Sequence, residues 1–167
     1  VIGNYSQSKF IGVMATNGTV QSESYILEIR KFFPDIHVLQ QACPMWVPLI
    51  ENNEQKSKGA DFFIKKYIHN LLHREERIDT ILLACTHYPL MIKKIKEYMP
   101  ADMKLLSQGD IVADSLFDYL HRHPEMETRL SKNGSRDFFT TDSTADFDGH
   151  TLAFFGETVQ SNHVYLG

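Results

Sequence analysis

The sequence contains few of the features that mark membrane, secreted or nucleic-acid-binding proteins. Only two of its 167 residues are cysteine, too few for the disulfide framework of a small secreted domain. No apolar run approaches the length that crosses a bilayer, and no signal-peptide pattern is present. Positive charge is also scarce, since the net charge is −4, which argues against nucleic acid or a membrane as partner. We therefore expect a cytoplasmic protein with free thiols, and a disulfide between Cys43 and Cys85 is the open alternative.

The composition is that of an ordinary globular protein, since 43% of the residues are hydrophobic and 23% are charged. The length suffices for one domain with a sizeable core and falls short of two full domains. Because the chain opens with valine and reaches a strand pattern within a few residues, we expect it to be a piece of a longer protein.

Segments with the apolar spacing of a strand alternate along the chain with segments that have the apolar spacing of a helix. These spacings predict strands over 9–15, 36–40, 79–84, 103–106 and 136–141, helices over 20–33, 58–72, 89–98, 108–122 and 145–155, a rigid loop or helix entry at 42–48, and a loop at 124–135. Strands that alternate with helices favour an α/β fold with a parallel, doubly wound sheet. The carboxyl ends of such strands meet at one edge, where ligands bind. Four loops are expected to converge there: 16–19, 40–43, 85–87 and 107–109.

The segment 81–90 carries the strongest chemical signal. A buried strand is predicted to end at Cys85, and a helix is predicted to begin near Pro89. A helix N-terminus favours a thiolate, so we expect Cys85 to be reactive. His87 lies two residues on and can act as its proton partner. The alternative is that Cys85 is a small buried side chain and His87 a surface residue, but the strand-to-helix junction favours the functional interpretation.

Other polar residues at this edge allow two interpretations each. Thr16 and Thr19 lie in a turn before a helix, where their hydroxyls can hold a carboxylate or phosphate or can simply cap the helix. Glu51, taken by itself, is expected to be a surface carboxylate, and Cys43 a buried core residue.

Two further chemistries fit the residues poorly. A zinc site would recruit Cys43, Cys85, His87 and His37, but these four have neither Cys-x-x-Cys nor His-x-x-x-His spacing among them. We therefore expect no metal. Cysteine-protease chemistry would pair Cys85 with His87, which lie awkwardly close on one loop, and no oxyanion arrangement can be identified.

Four segments, 12–25, 42–51, 83–90 and 138–143, resemble successive signatures of the glutamate racemase family. They follow the family's order and span nearly all of the chain. The Cys-Thr-His-Tyr-Pro block at 85–89 is typical of the aspartate/glutamate racemase superfamily. The resemblance implies two α/β lobes with the substrate between them. It also implies an isomerase that interconverts L- and D-glutamate without a cofactor and supplies D-glutamate for peptidoglycan, the cell wall and cell shape.

The resemblance further implies a role for each site residue. The family uses two thiols, one in each lobe, on opposite faces of the α-carbon. Cys85 matches the second-lobe thiol that removes the proton of D-glutamate and returns it when D-glutamate forms. His87 matches the residue that assists this thiol, and Glu51 matches a carboxylate that pairs with the histidine.

Substrate contacts are implied in the same way. Thr86 and His87 are expected to bind glutamate, and Thr16 and Thr19 are expected to line the pocket.

The chain departs from the family pattern in its first lobe. The Cys-Asn-Thr block that carries the other thiol, an early Asp-Ser and a Pro-Tyr-Gly turn are absent. Cys43 falls in a second-lobe motif and cannot replace that thiol. Two smaller departures lie within the chain: Ala15 stands where relatives often have glycine, and 107–109 reads Ser-Gln-Gly where they often have Asp-Ser.

We therefore expect residues 1–107 to form the second lobe and 108–167 to complete the missing N-terminal lobe. The isolated chain is expected to be inactive. Its returning segment is expected to expose Phe138, Phe139, Phe154 and Phe155 and to associate, with a homodimer as one outcome. Two alternatives stay open: a non-catalytic module that binds glutamate or a protein, and an aspartate racemase.

Overall fold

The computed structural model describes residues 2–132 and 134–166. Val1, Gly167 and Asn133, which falls within the predicted loop 124–135, lie outside the described residues. The chain divides into two compact units, Val1–Val112 and Ala113–Gly167, called here the first and the second unit.

The elements follow one another in a largely alternating order. They are a 3-10 turn at Ile2–Asn4, β1 Phe10–Ala15, α1 Asn17–Gln21, α2 Ser24–Phe32, β2 His37–Ala42, α3 Trp46–Glu51, α4 Lys58–Arg74, β3 Thr80–Ala84, a 3-10 helix at Tyr88–Met91, α5 Ile92–Glu97, β4 Lys104–Ser107, α6 Gln108–Arg122, α7 Pro124–Glu127, β5 Phe138–Thr140, α8 Thr144–Phe154 and β6 Ser161–His163.

Four parallel strands form the sheet of the first unit in the order β2-β1-β3-β4. Apolar side chains cover both faces: Ile11, Val13 and Ala15 of β1 belong to one buried cluster, whereas Met14 belongs to the other. Successive side chains of a strand point to opposite faces, so a strand buried on both faces appears in the sequence as a continuous apolar run. The parallel α/β fold expected from the sequence is confirmed.

The larger cluster lies between the sheet and the helices α3 and α4. Trp46 is its centre, since its ring is fully buried and meets Tyr88 edge-on at 4.8 Å and Tyr67 at 6.0 Å between ring centroids. Edge-to-face pairs of this kind add stability beyond the area that they bury. The cluster therefore ties α3 and α4 to the 3-10 helix that follows β3.

The second unit contains a small parallel pair, β5 and β6, joined through α8. Ser143 caps α8, because its hydroxyl accepts a hydrogen bond from the backbone N–H of Asp146. Thr151 is buried; its hydroxyl donates to the carbonyl of Asp148 and accepts from the N–H of Val159. These hydrogen bonds hold the β-α-β unit together.

Several boundaries differ from the expectation. The helix predicted over 20–33 is interrupted, because Glu23 adopts the left-handed conformation, with φ of 51°, and separates α1 from α2. The helix after Cys85 begins as a 3-10 turn, with Pro89 in its first turn, and becomes α-helical only at Ile92. The predicted loop 124–135 contains the short α7, and β6 was not predicted. Within the described residues, no helix combines the length and apolarity needed to cross a bilayer.

Candidate active site

The carboxyl edge of the sheet brings three loops together. Ala15, the last residue of β1, lies opposite both Ala42 of β2 and Ala84 of β3. The residues that follow these three strands are Thr16, Cys43 and Cys85. The strand register therefore gathers three of the four loops that the sequence predicted at this edge, and Ser107, where the fourth begins, lies opposite Leu83.

Cys85 and His87 occupy a tight turn directly after β3. The backbone N–H of Tyr88 donates to the carbonyl of Cys85 at 3.3 Å, and that of Leu90 donates to the carbonyl of His87 at 3.1 Å. The turn directs Nδ1 of His87 towards Sγ of Cys85, at 4.0 Å. Both side chains are partly exposed, so the thiol is open to a ligand and has a nitrogen base beside it.

Glu51 completes a chain of three groups. It is the last residue of α3, and its Oε1 lies 3.2 Å from Nε2 of His87. A carboxylate only accepts hydrogen bonds, so Nε2 carries the proton in this contact. Nδ1 is then left as an acceptor for the proton of the Cys85 thiol. The arrangement is a thiol, an imidazole and a carboxylate in sequence, which is the pattern that activates a cysteine.

Thr86 lies at the exposed tip of the same turn. Its hydroxyl is 3.5 Å from Nδ1 of His87, so it contacts the nitrogen that faces Cys85. Its exposure and position allow it to donate a hydrogen bond to a ligand that reaches the thiol.

Thr16 and Thr19 have the capping geometry. The hydroxyl of Thr16 accepts a long hydrogen bond, 3.4 Å, from the backbone N–H of Thr19, and the two hydroxyls are 3.0 Å apart. Both side chains remain partly exposed. The capping alternative is therefore realised, and it leaves one or both hydroxyls able to face a ligand at this edge.

Cys43 lies in the core, as expected from the sequence. It is 1% exposed, and burial raises the pKa of its thiol well above the ordinary value. Its Sγ donates to the carbonyl of Gln41 at 3.6 Å, and neither cysteine of the chain is in a disulfide. Cys43 is therefore a neutral structural thiol beside the site.

Tyr88 is a positioning residue that the sequence alone did not reveal. Its phenol is buried, and its hydroxyl donates to the carbonyl of Cys43 at 3.3 Å. Burial raises the pKa of Tyr88, so the phenol stays a neutral donor. This bond joins the loop after β2 to the turn after β3. The tyrosine beside the Cys-Thr-His tripeptide was the available signal, but its partner depends on tertiary packing.

The described residues offer no cluster of three or more histidine, cysteine, aspartate or glutamate side chains arranged around a metal position.

No protein-family model matches the chain. A curated glutamate racemase from Thermoanaerobacter sp. is 34% identical over 157 residues, which are 94% of this chain and 58% of that protein. Among solved structures, a glutamate racemase isoform from Bacillus anthracis superposes with a TM-score of 0.84 at 28% identity, over 98% of this chain and 60% of the other. The Francisella tularensis enzyme in complex with D-glutamate gives 0.78 at 26% identity, over 95% and 57%. The chain thus spans little more than half the length of the proteins that it matches.

Proposed function

Because this chain belongs to the glutamate racemase family and matches about 58% of its curated relatives' length, we propose that it provides half of a centre that interconverts L- and D-glutamate without a cofactor. The observation that carries the proposal is the contact chain from Cys85 through His87 to Glu51 at the carboxyl edge of the sheet. D-Glutamate made in this way would supply peptidoglycan synthesis in the cytoplasm, where a free thiol persists.

Inversion at the α-carbon needs a base on one face and an acid on the other. Cys85 serves one face: as a thiolate it takes the α-proton of D-glutamate, and as a thiol it returns a proton when D-glutamate forms. His87 accepts the thiol proton at Nδ1 and returns it there, while Glu51 holds the Nε2 proton and so keeps the imidazole in the required tautomer.

Three hydroxyls are assigned to substrate binding. Thr86 lies beside the reacting thiol, and Thr16 and Thr19 follow the neighbouring strand. Neutral hydroxyl donors suit the carboxylates of glutamate, because they bind the anion and leave the thiol chemistry undisturbed.

The opposite face of the substrate has no thiol from this chain. Cys43 is the other cysteine of the sequence, and it is buried in the core with a raised pKa. The second acid or base would come from an N-terminal lobe that residues 108–167 help to complete, while residues 1–107 form the lobe with Cys85. The chain alone is therefore proposed to bind glutamate without racemising it.

The first test is a racemase assay on the isolated chain, with circular dichroism following conversion of D-glutamate. No turnover is expected, whereas activity should appear when the separately expressed first lobe of a full-length relative is added. Turnover by the isolated chain that Cys85→Ser abolishes would refute the requirement for a second thiol.

The second test addresses the contact chain directly. Iodoacetamide should modify Cys85 and spare Cys43, which serves as the internal control in a mass-spectrometric assay. Replacing His87 by Asn or Glu51 by Gln should slow the modification of Cys85 at pH 7, and D-glutamate should protect it. Unchanged rates in both variants would exclude activation of the thiol by this pair.

The second candidate is a non-catalytic module that binds a protein, including another copy of the chain. The second unit favours it, because Phe139 is 57% exposed, Phe154 41% and Phe155 43%, although Phe138, which was also expected to be exposed, is half-buried. Sedimentation equilibrium distinguishes the candidates: self-association lost in Phe139→Ser without any change in the reactivity of Cys85 would support the module. An aspartate substrate has no comparable support, since the relatives described above are glutamate racemases.

A further inference from the structure

Two histidines on the exposed side of α4 have the His-x-x-x-His spacing that is missing among the zinc candidates at the active-site edge. His69 and His73 are four residues apart, so their side chains lie on the same face of the helix, one turn apart. Their ring centroids are 5.6 Å apart. Both side chains are exposed, and within residues 2–132 and 134–166 neither forms a hydrogen bond or an ion pair. A ligand can therefore meet both rings together.

The cationic side chains beside this pair are engaged elsewhere. Lys65 and Lys66 each lie over an aromatic ring, with the ammonium 4.9 and 5.9 Å from the ring centroid. Arg74 reaches to β2, where its Nη1 donates to the carbonyl of Gln40 at 3.0 Å. His73 lies in the last turn of α4, and the carbonyl groups at a helix C-terminus favour a positive charge. The imidazole pair thus faces solvent at a helix end that attracts a cation.

The separation of the two rings suits one bridging metal ion. Zinc binds a histidine nitrogen at about 2.1 Å, which places the ion about 3.2 Å from the ring centroid. At the tetrahedral angle the two centroids are then about 5.2 Å apart, within about half an ångström of the observed separation. The ring planes are inclined by only 14°, so the exposed rings must rotate for one nitrogen of each to point at the ion.

The donor atoms select the class of ion. Imidazole nitrogen is a ligand of zinc, copper and nickel, whereas calcium and magnesium prefer oxygen. Two histidines four apart on a helix also ligate zinc in the His-Glu-x-x-His motif of metalloproteases. In α4 Asn70 stands where that motif has its glutamate, the general base. The pair therefore has the ligands of such a site without its hydrolytic base.

We propose that His69 and His73 bind one divalent transition-metal ion of the zinc class, each through one ring nitrogen. Water completes the coordination, since no group of three or more ligating side chains occurs in the described part of the chain. The ion bridges one turn of α4 and holds the C-terminal end of this helix together. No metal was expected among the residues of the active-site edge, and this pair lies outside that edge.

The binding test titrates zinc chloride into the 167-residue chain in isothermal titration calorimetry. A Cys85→Ser background removes the open thiol, which would compete for the metal. Replacing His73 by Asn removes one of the two ligands and should weaken the binding of Zn²⁺ about ten-fold or more. Magnesium chloride, as the control ion, should give no binding at the same concentrations.

The matched control exchanges two neighbouring side chains. Asn70→His combined with His73→Asn keeps the composition of the chain but places the histidines side by side, where they do not face each other. This variant should bind Zn²⁺ as weakly as His73→Asn alone, and far-ultraviolet circular dichroism verifies that both variants fold. Affinity that is unchanged in either variant would overturn the proposal.

NMR identifies the ligands and the effect on the helix. The imidazole signals of His69 and His73 should move on addition of Zn²⁺ before those of His37 and His121, which are exposed and lie on other elements. Zn²⁺ should also slow amide hydrogen exchange over residues 69–74, and the exchange variant should lose this protection. First shifts at other histidines would overturn the site, and binding without protection would overturn the bridge. Neither measurement depends on racemase activity.

Discussion

The two units of the chain bury their apolar side chains to very different degrees. In the first unit Ile64, Leu71 and Ile81 are 0% exposed. Among residues 113–132 and 134–166, Thr151 alone is buried, while Phe117 is 76% exposed. The first unit has four strands with apolar side chains packed on both faces, whereas the described part of the second has two short strands, the crossover helix α8, the short α7 and most of α6. A two-stranded sheet is marginally stable by itself, and the large apolar side chains of the second unit stay mostly exposed.

The unit with the better-packed core is also the unit that contains the candidate site residues. Cys85, His87 and Glu51 all lie in the first unit, the first two on the turn after the buried strand β3 and Glu51 at the end of the helix α3. Site residues on rigid elements keep their geometry without a partner. We therefore expect the contact chain to persist in the isolated chain, even though the proposed racemisation would require a second lobe.

The largest expected effect comes from a matched pair of leucines. Leu71→Ala removes a fully buried side chain and should lower the free energy of unfolding by about 2–5 kcal/mol. Leu152→Ala, at a site that is 61% exposed, should change it by less than about 0.5 kcal/mol. Urea unfolding followed by circular dichroism measures both, and equal losses would contradict the contrast between the units.

A smaller effect is expected from a pair of aspartates. Burial opposes ionisation of Asp79, but hydrogen bonds from Ser6, Gln7, Ser8 and Thr80 outweigh it and lower its pKa to about 2. The full shift from 3.8 corresponds to about 2 kcal/mol, and solvent around the carboxylate reduces this towards about 1 kcal/mol. Asp79→Asn should therefore cost about 1–2 kcal/mol of unfolding free energy at pH 7.

The pH dependence has a definite sign. A depressed folded-state pKa gives stability that is present above the unfolded value near 3.8 and is lost as the pH falls towards 2. The cost of Asp79→Asn should thus shrink over that interval. Asp118→Asn, which breaks an exposed ion pair with Arg122 in the second unit, is the control and should cost at most about 0.5 kcal/mol throughout. A cost of Asp79→Asn that is constant from pH 7 to pH 2 would argue against the carboxylate network.

The smallest effect compares two helix caps of the same chemistry. Ser57 caps α4 in the first unit and Ser143 caps α8 in the second, each accepting from a backbone N–H at 3.2 Å. Ser57→Ala should lower the global free energy of unfolding by about 1 kcal/mol. Ser143→Ala should instead accelerate hydrogen exchange within α8 and leave global unfolding nearly unchanged, because the less buried unit opens first. Equal global losses would show that the two units unfold together.

Much of the fold could be predicted from local sequence patterns. The run at 81–84 predicted a buried strand because apolar residues occupy both of its faces, and the helix over 108–122 was predicted with its observed bounds. The break between α1 and α2 at Glu23 could not be predicted from the sequence, because neither proline nor glycine marks it. The strand β6 was missed because it has three polar residues and no alternation.

The candidate site could be predicted from the sequence in part. The position of Cys85 after a buried strand, with His87 two residues on, follows from the sequence alone. The residues by themselves predicted a surface carboxylate at Glu51, and only the family resemblance suggested its pairing with His87. Its Oε1 is in contact with the imidazole because α3 packs beside the 3-10 helix through Trp46 and Tyr88.

The sequence by itself determined the order of most strands and helices and the residues that follow the strands of the first unit, because apolar periodicity and turn residues act over short distances. Only the tertiary structure decided which of those residues meet. The parallel register aligns Ala15, Ala42 and Ala84, packing buries Cys43 and leaves Cys85 open, and α3 carries Glu51 to His87. Each of these outcomes depends on contacts between segments distant in the chain, and no local pattern encodes such contacts.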